Sequence, residues 1–297
     1  MTALLLHFDD ETAQAARLAE AAGLGCHPVE RHRFPDGELR LRLPSALPAH
    51  VVLLRGLHDP NEKLVELLLA ASTARTLGAQ QITLVAPYLG YMRQDIAFHP
   101  GEAVSQRIVG GFLAGLFDAV LTVDPHLHRI ARLDEAIAVA HAVSLSAAPL
   151  LAELAVARRG RPLLVGPDAE SAQWVESAAT AFGLDHAVCT KVRRGDHDVD
   201  IRLPDADFAG RPVVLIDDIA STGRTVALAA RQLLAAGAVS VDLAVTHALF
   251  AADALEVVRA AGVDEVWSTD CVPHVSNAVS VAPMLAQALL RLPEGLT

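Results

Sequence analysis

The sequence predicts an α/β fold in two tandem domains, each a mainly parallel sheet flanked by helices. Short apolar runs alternate with segments of helical periodicity along most of the 297 residues. The runs are apolar throughout rather than at every second position, which is typical of strands buried on both faces of a parallel sheet. The length suits two domains, and the pattern is interrupted near residues 143–149.

The elements of the first half follow from these two periodicities. They are strands at 3–8, 51–57, 82–88 and 119–124 and helices at 11–22, 62–77 and 105–116. The helix at 62–77 shows the period most clearly, because leucines and alanines recur on one face. Pro-Asp-Gly at 35–37 predicts a turn between extended segments at 31–34 and 38–43.

The second half repeats the same alternation after a less regular middle section. Its elements are strands at 163–165, 186–191, 212–216, 241–246 and 265–269 and helices at 171–182 and 224–236. Small residues and a proline at 143–149 mark the boundary, so the expected domains are 1–146 and 147–297. The last helix, 281–291, is expected to pack back on the first domain.

Composition excludes several classes of protein. Hydrophobic residues make up 52% and charged residues 20% of the chain, which is typical of a globular protein. The net charge of −11 argues against nucleic acid as a partner. No apolar segment reaches membrane-spanning length. Three widely spaced cysteines fit neither a disulfide framework nor a metal knuckle, and they favour a reducing, cytoplasmic location.

The most informative motif lies between Pro212 and Ala238. An apolar strand is followed by Asp217 and Asp218, then by a loop of small residues that leads into a helix. The loop contains Ser221, Thr222, Gly223, Arg224 and Thr225. Backbone N–H groups and the positive end of a helix dipole meet at such a point, and the hydroxyls add donors, so the loop predicts a phosphate site.

The two carboxylates distinguish this motif from other phosphate loops. Because acids repel phosphate, Asp217 and Asp218 must face something else, such as vicinal hydroxyls or a metal ion. A ribose 5-phosphate unit offers both a phosphate for the loop and hydroxyls for the acids. An ordinary strand–turn–helix crossover would also contain acids and small residues. Here, however, the strand, the acid pair, the glycine and both hydroxyls occur together and in order.

This motif resembles the ribose-5-phosphate and phosphoribosyl-diphosphate site of the phosphoribosyltransferase fold. Each half has a strand that ends in an acid, at Asp124 and at Asp217, but only the second carries the phosphate loop. A duplicated phosphoribosyltransferase-like fold with one such site resembles the ribose-phosphate diphosphokinases, or phosphoribosyl-pyrophosphate synthetases, and almost the whole chain can be matched to them. The four residues 89–92 between Pro-Tyr and Arg-Gln-Asp make the spacing similar to the archaeal-type branch.

The resemblance implies an ATP site in the first domain. In the family, a loop with Phe, a polar residue and Glu binds adenine, and Phe34, Asp36 and Glu38 match it. That loop serves a neighbouring subunit in the family, which implies a homo-oligomer, a dimer or larger. On their own, these residues predict only a hairpin turn.

Two further loops match the ATP side of the family. Arg93, Gln94 and Asp95 match its Arg-Gln-Asp, although a local ion pair would also explain Arg93 and Asp95. His126 matches the histidine of the family's Asp-x-His, which reaches the Mg–ATP phosphates. A surface histidine pair with His128 is the simpler alternative for that residue.

The metal and catalytic residues are also implied by the resemblance. Asp168 follows a strand, as expected of a Mg²⁺ ligand, and is expected to share the metal with His126. Glu170 and Ser171 stand where the family has small residues. Lys191 and Arg193 match the family's catalytic Lys-x-Arg on a mobile flap, although a solvated basic edge strand would look the same.

These matches predict Mg²⁺-dependent transfer of the diphosphoryl group of ATP to the 1-hydroxyl of ribose 5-phosphate. The products would be 5-phosphoribosyl 1-diphosphate and AMP. Two alternatives remain at this point. One is a phosphoribosyltransferase that uses the same motif, and the other is a non-catalytic regulatory homologue of the synthetase.

Overall fold

The computed structural model describes residues 3–127, 129–193 and 199–293, and the chain divides into two units. The first unit extends to Leu145 and resumes at Val281, and the second spans Ser146–Ser280. Each contains a six-stranded sheet whose neighbouring strands are all parallel. Helices flank both sheets, so the predicted fold class is confirmed.

The first unit places its strands in the order β2-β1-β5-β6-β7-β8, with β3 and β4 as a separate antiparallel hairpin. The elements are β1 (Ala3–His7), α1 (Thr12–Ala22), β2 (Gly25–Pro28), β3 (Glu30–Arg33), β4 (Leu39–Arg42), β5 (His50–Leu54), α2 (Pro60–Thr76), β6 (Gln81–Ala86), α3 (Ser105–Ala114), β7 (Ala119–Val123) and β8 (His141–Leu145). Short 3₁₀ turns occur at Asp9–Glu11 and Leu133–Glu135. The central strands are apolar along their length because helices cover both faces of the sheet.

The second unit has the strand order β10-β9-β13-β14-β15-β16, with β11 and β12 as an antiparallel hairpin. The elements are α4 (Ala148–Arg159), β9 (Leu163–Gly166), α5 (Ala172–Phe182), β10 (His186–Val188), β11 (Thr190–Arg193), β12 (Val199–Arg202), β13 (Pro212–Ala220), α6 (Arg224–Ala235), β14 (Ser240–Ala248), α7 (Ala254–Ala260), β15 (Val266–Thr269) and β16 (Asn277–Val279). A last helix, α8 (Ala282–Leu290), belongs to the first unit and packs on α1 there.

Strand β13 shows why the second unit has two core layers. Val213 and Leu215 point into one cluster with α6 and α7, whereas Val214 and Ile216 point into another with α4 and α5. Successive side chains of a strand alternate between faces, and here both faces are covered. All four residues are fully buried, which anchors the strand that carries the acid pair.

The local structure differs from the sequence expectations at three places, although the division between Leu145 and Ser146 lies inside the stretch expected as the boundary. The strand predicted at 212–216 continues to Ala220, because pairing with β14 extends as far as Ala220 and Ala248. The strand predicted at 186–191 is two strands in different sheets, β10 and β11. The irregular section around 143–149 contains the end of β8 and the start of α4. In each case the backbone pairing or packing outweighs a weak local signal.

Among the described residues, no helix combines the length and hydrophobicity needed to cross a membrane.

Candidate functional site

The acid pair occupies the sixth and seventh of the nine residues of β13, not the positions after the strand as expected. Asp217 is partly exposed, and its Oδ1 accepts a hydrogen bond of 3.0 Å from the backbone N–H of Asp218, which is buried. Burial, together with the charges of Asp218 and Asp168, raises the pKa of Asp217 well above its ordinary value. Negative charge is therefore concentrated at this end of the sheet.

The phosphate loop connects β13 to the N-terminus of α6. Gly223 has φ +69°, and an added Cβ would lie 2.9 Å from the carbonyl oxygen of Ala254 and 2.7 Å from Cγ2 of Val258 in α7. Only glycine fits both the left-handed backbone and this close packing. Within the described residues no side-chain hydrogen bond caps α6 at Gly223, so the helix N-terminus has no side-chain cap that would compete with a bound anion.

The hydroxyl and cationic residues of this loop remain accessible. Thr222 and Arg224 are exposed, and Ser221 and Thr225 are half-buried. The backbone is held from the other side, because the N–H of Ala251 donates to the carbonyl of Ser221 at 3.0 Å. The loop therefore combines a fixed backbone with exposed donors.

Asp168 and Lys191 form a second part of the site. Asp168 follows β9, and its Oδ1 accepts a hydrogen bond of 3.0 Å from the backbone N–H of Glu170. Its other oxygen lies 4.0 Å from Nζ of Lys191, whose side chain is 36% exposed. Burial, and then the charge of Asp168, raise the pKa of the neighbouring thiol of Cys189 to about 11.

The parallel sheet explains why these residues meet. Strand β13 pairs in parallel with β9 up to Leu215 and Val165, so Asp168, just past the end of β9, lies level with the acid pair inside β13. The structure thus brings Asp168, Asp217, Asp218 and Lys191 together with the phosphate loop in the second unit. Arg193 is the last residue of β11, and its side chain lies outside the described part of the structure, as do residue His128 and residues 194–198.

In the first unit, the predicted Phe34 turn is the tip of the β3–β4 hairpin. The N–H of Phe34 donates to the carbonyl of Glu38 at 2.8 Å, and Oδ1 of Asp36 accepts from the N–H of Glu38 at 3.2 Å. Phe34 is 38% exposed, with its ring edge-to-face against that of His32 at 4.9 Å. An aromatic ring and two exposed carboxylates therefore occupy one short turn.

The predicted Arg93–Asp95 loop is joined to the loop that follows β7. Arg93 is exposed, whereas the side chain of Asp95 is 2% exposed and pairs with Nη1 of Arg129 at 2.6 Å. Gln94 turns back to donate to the carbonyl of Ile96 at 2.9 Å. Of the three predicted residues, only Arg93 is fully accessible, and Asp95 holds the loop in place.

His126 lies in the second of these joined loops. Asp124, just after β7, is buried with a strained φ of +37°, and its N–H donates to the carbonyl of Leu145 at 2.8 Å. This bend directs the chain into the loop that contains His126, which is half-buried, and Arg129. The structure thus brings Arg93, Asp95 and His126 into adjoining loops of the first unit.

Sequence reasoning missed Arg129, although its position three residues after His126 places it in a loop already singled out. Its partner Asp95 lies 34 residues away in the chain, and no local pattern relates the two. The basic residues of β3, Arg31 and Arg33, were likewise passed over. Their alternation on one strand face was a visible signal.

Comparison with known proteins connects this geometry to a family. The model of the N-terminal domain of ribose phosphate pyrophosphokinase matches residues 3–116, and the phosphoribosyl transferase domain model matches residues 135–281. The chain belongs to the ribose-phosphate pyrophosphokinase family. It is therefore an enzyme of the ribose-phosphate diphosphokinase class, as the resemblance implied.

Relatives in this family match along nearly their whole length. The ribose-phosphate pyrophosphokinase of Methanopyrus kandleri is 37% identical over 279 residues, which cover 93% of this chain and 94% of the relative. That of Methanosarcina acetivorans is 36% identical over 281 residues, covering 94% and 96%. Both relatives are archaeal, in agreement with the loop spacing before Arg93.

A solved structure supports the fold. The crystal structure of phosphoribosylpyrophosphate synthetase from Mycobacterium smegmatis aligns with a TM-score of 0.83 over 98% of each chain, at 24% identity. At that identity the likeness concerns the fold alone, which it confirms.

Two residues of this ribose-phosphate pyrophosphokinase family member depart from the expected small residues. Ser171 is buried, and its hydroxyl donates to the carbonyl of Asp168 at 2.6 Å. Its Oγ fills the space where a Cβ on Gly166 would lie. Glu170 is exposed. The hydroxyl of Ser171 thus fixes the backbone of Asp168, and Glu170 lies at the surface.

Proposed function

We propose that this enzyme transfers the diphosphoryl group of ATP to the 1-hydroxyl of ribose 5-phosphate, in a Mg²⁺-dependent reaction. The products are 5-phosphoribosyl 1-diphosphate and AMP. One observation carries the proposal: the phosphate loop, the acid pair and the Lys191–Asp168 pair lie at one edge of the second sheet. A phosphate cradle, hydroxyl acceptors and a cation suit a sugar phosphate that is to receive an anionic group.

Ribose 5-phosphate would bind at the second unit. The amides at the start of α6, with the hydroxyls of Ser221, Thr222 and Thr225 and the cation of Arg224, would hold the 5-phosphate. Asp217 and Asp218 would accept hydrogen bonds from the ribose hydroxyls. Ionised carboxylates are the stronger acceptors, so binding favours the charged form of Asp217.

ATP would bind through residues of the first unit. The exposed ring of Phe34 suits stacking on a purine, and Asp36 and Glu38 can accept from its amino group. Arg93 is a fork-shaped cation for phosphate oxygens, and Gln94 and His126 add polar groups nearby. Since the family's Phe loop serves a neighbouring subunit, we propose a homo-oligomer, a dimer or larger.

The residues at the second sheet edge fit a hard divalent cation such as Mg²⁺. No group of three or more His, Cys, Asp and Glu side chains able to hold a metal occurs among the described residues. Mg²⁺, however, usually takes one or two carboxylates and completes its shell with substrate phosphates and water. Asp168 has one oxygen facing Lys191, and its charge adds to the concentration of negative charge at Asp217. Asp168 would therefore hold Mg²⁺ in the presence of nucleotide, and the part proposed for His126 in holding it rests on the family resemblance alone.

The chemistry asks little covalent participation from the protein. The 1-hydroxyl oxygen would attack the β-phosphorus in line and lose its proton to solvent. As the new O–P bond forms, the bond from the β-phosphorus to the oxygen that bridges it to the α-phosphorus would break, and AMP would leave with that oxygen. Mg²⁺, when bound, would supply charge neutralisation on the phosphate oxygens. Lys191 and Arg193 would stabilise the charge that develops on the transferring group, which is the main source of rate in such reactions.

The three free cysteines are consistent with a cytoplasmic location.

The test is AMP formation by the purified chain with ATP, ribose 5-phosphate and Mg²⁺, with phosphorus NMR of the products. A new C1-linked diphosphate that requires both substrates and disappears with EDTA would support the proposal. No AMP despite ribose 5-phosphate binding would favour a regulatory homologue. Release of diphosphate from phosphoribosyl diphosphate on adding a nucleobase would favour a phosphoribosyltransferase.

A further inference from the structure

The β3–β4 hairpin that carries Phe34 needs external support. Its two strands pair with each other and, within the described residues, with no other strand. A two-stranded ribbon is marginally stable in water, so contacts outside the ribbon must decide which way its tip points. Part of this support is apolar, from Leu41 and Leu43, which pack on the core of the first unit, and part is ionic, from the inner face of β3.

Two arginines of β3 pair with two glutamates of α2. Nη1 of Arg31 lies 2.5 Å from Oε1 of Glu66, and Arg33 forms an ion pair with Glu62. Residues 31 and 33 share one face of the strand, and residues 62 and 66 lie one turn apart on the helix. The four side chains form a two-rung ladder, which we call the arginine–glutamate ladder.

The lower rung is fixed in a buried charge cluster. Glu66 is fully buried, and its second oxygen accepts from Nη2 of Arg55 at 2.5 Å. Arg55 is 1% exposed and also lies 2.8 Å from Asp10 and 3.1 Å from Glu11. Removal from water strengthens such pairs and makes the loss of one partner costly. Arg31 is therefore held to a rigid part of the first unit.

The upper rung lies next to the functional turn. Arg33 directly precedes Phe34, whose N–H closes the turn on Glu38. A cleft of about 370 Å³, lined by both rungs together with Asp10 and Asp59, separates the hairpin from α2. Every side chain that lines this cleft is charged, so the ladder rather than apolar packing connects β3 to α2 at this point.

We infer that Arg31 and Arg33, through Glu66 and Glu62, are positioning residues that set the direction of the Phe34 turn and hence the affinity for the adenine nucleotide. This inference rests on the proposed function for its nucleotide. Neither arginine is required to touch the nucleotide. The role is distinct from that of Phe34, Asp36 and Glu38, which make the contacts.

The hairpin contains a matched control. Glu30 and Arg42 form an ion pair between directly opposite residues of β3 and β4. This ion pair joins the two strands of the hairpin and does not connect the hairpin to α2. It has the same chemistry as the Arg33–Glu62 pair. Both side chains are more than half exposed, so Arg42→Ala should leave the fold intact.

The experiment compares Arg33→Ala, Glu62→Ala, the exchange Arg33→Glu with Glu62→Arg, and Arg42→Ala. Each full-length variant is assayed for KM of ATP, KM of ribose 5-phosphate and kcat, and for hydrogen exchange of residues 34–38. We expect either single variant at the upper rung to raise KM for ATP roughly fivefold, with KM for ribose 5-phosphate unchanged and exchange accelerated. The exchanged pair should return KM for ATP to within roughly twofold of the wild type, and Arg42→Ala should match the wild type.

An unchanged KM for ATP in Arg33→Ala and Glu62→Ala would overturn the inference, as would an exchanged pair that fails to recover. The proposed function fails separately, when the wild type forms no AMP. In that case accelerated exchange at 34–38 and its recovery in the exchanged pair, with weakened ATP binding by calorimetry, would still support the ladder. Exchange that stays at the wild-type rate would overturn it.

Discussion

The Nζ atom of Lys191 lies 4.0 Å from Oδ2 of Asp168, so the proposed catalytic lysine and the proposed metal ligand face each other. A backbone hydrogen bond explains how these two residues come to face each other. The N–H of Cys189 donates to the carbonyl of Gly166 at 2.9 Å, which ties the base of β11 to the end of β9. The flap strand therefore leaves the sheet beside Asp168, and Lys191 is its second residue.

From this arrangement we expect Lys191→Ala to lower kcat by roughly two to three orders of magnitude, because the variant loses a cation that acts on the developing charge. KM for ribose 5-phosphate should change little, since the phosphate loop and acid pair are untouched. Steady-state kinetics with both substrates would measure this. Arg202→Ala, an exposed basic residue on the partner strand β12, is the control. Equal losses in kcat and in ribose 5-phosphate affinity would contradict a transition-state role.

The raised pKa of Asp217 predicts a pH dependence of substrate capture. Burial and the charges of Asp218 and Asp168 favour the protonated form, which is a poorer acceptor for ribose hydroxyls. The kcat/KM for ribose 5-phosphate should therefore be high above this raised pKa and fall as the pH drops through it. Asp217→Asn should have a lower and flatter profile. The exposed Asp205→Asn should reproduce the wild-type profile, and a profile of Asp217→Asn parallel to the wild type would refute the assignment.

Alanine substitutions at Gly223 and Gly210 distinguish the effect of backbone strain from the effect of close packing. Both have positive φ, +69° and +72°, so alanine at either costs on the order of 1 kcal/mol. Only at Gly223 would the new Cβ also collide with α7, at Ala254 and Val258. We expect Gly223→Ala to be the more destabilised in urea unfolding and to raise KM for ribose 5-phosphate at least roughly tenfold through displacement of the loop. Gly210→Ala should keep the wild-type KM for ribose 5-phosphate. Similar KM values for the two variants would be evidence against a role of the phosphate loop in binding ribose 5-phosphate.

Glu11 should make the stability of the protein depend on pH. Burial, with a smaller effect from Asp10, raises the pKa of Glu11 from 4.5 to about 7 against the opposing attraction of Arg55. Between these values the folded state holds more protons than the unfolded state, so the free energy of unfolding should fall as pH rises from 4.5 to 7 and level off above.

The fall attributable to Glu11 should be on the order of 2–3 kcal/mol, measured by urea unfolding across this range. Glu11→Gln should remove most of that slope, because the amide does not titrate. The exposed Glu20→Gln on α1 should retain it. A slope that survives in Glu11→Gln would assign the titration to another group.

Arg129 should act on nucleotide affinity through Asp95. Asp95 has one oxygen, Oδ2, without a hydrogen-bond partner among the described residues, so Arg129 at 2.6 Å is its main neutralising contact. Arg129→Ala should leave a buried charge uncompensated and loosen the Arg93 loop, raising KM for ATP roughly tenfold. The nearby Arg132, which pairs locally with Asp134, provides the control variant Arg132→Ala. Arg129→Lys should recover part of the affinity, and identical KM values in all three variants would rule out this role.

Several features could be predicted from the sequence because they depend on neighbours in the chain. The strand and helix periodicities specify the fold class, since burial on both faces of a sheet demands apolar runs. The acid pair and phosphate loop lie within nine residues of each other, so their joint chemistry was visible without a structure. That Asp168 and Asp217 lie towards the same end of the sheet follows from the common direction of parallel strands, whereas the pairing of β9 with β13 came from the structure.

Other features were decided by the tertiary structure. No local pattern in the sequence identifies Glu66, 35 residues away, as the partner of Arg31. Several carboxylates could pair with this arginine, and only their distances in the folded protein distinguish them. They are Asp9, Asp10, Glu62 and Glu66. The same holds for Arg129 and Asp95. Pairing with β14 extends β13 to Ala220, although Asp217 and Asp218 within it predicted an earlier end of the strand. The sequence by itself determines which chemical groups are available and which local backbone conformations they favour. Long-range ion pairs and the lengths of paired strands depend instead on distances in space, which only the packed sheets create.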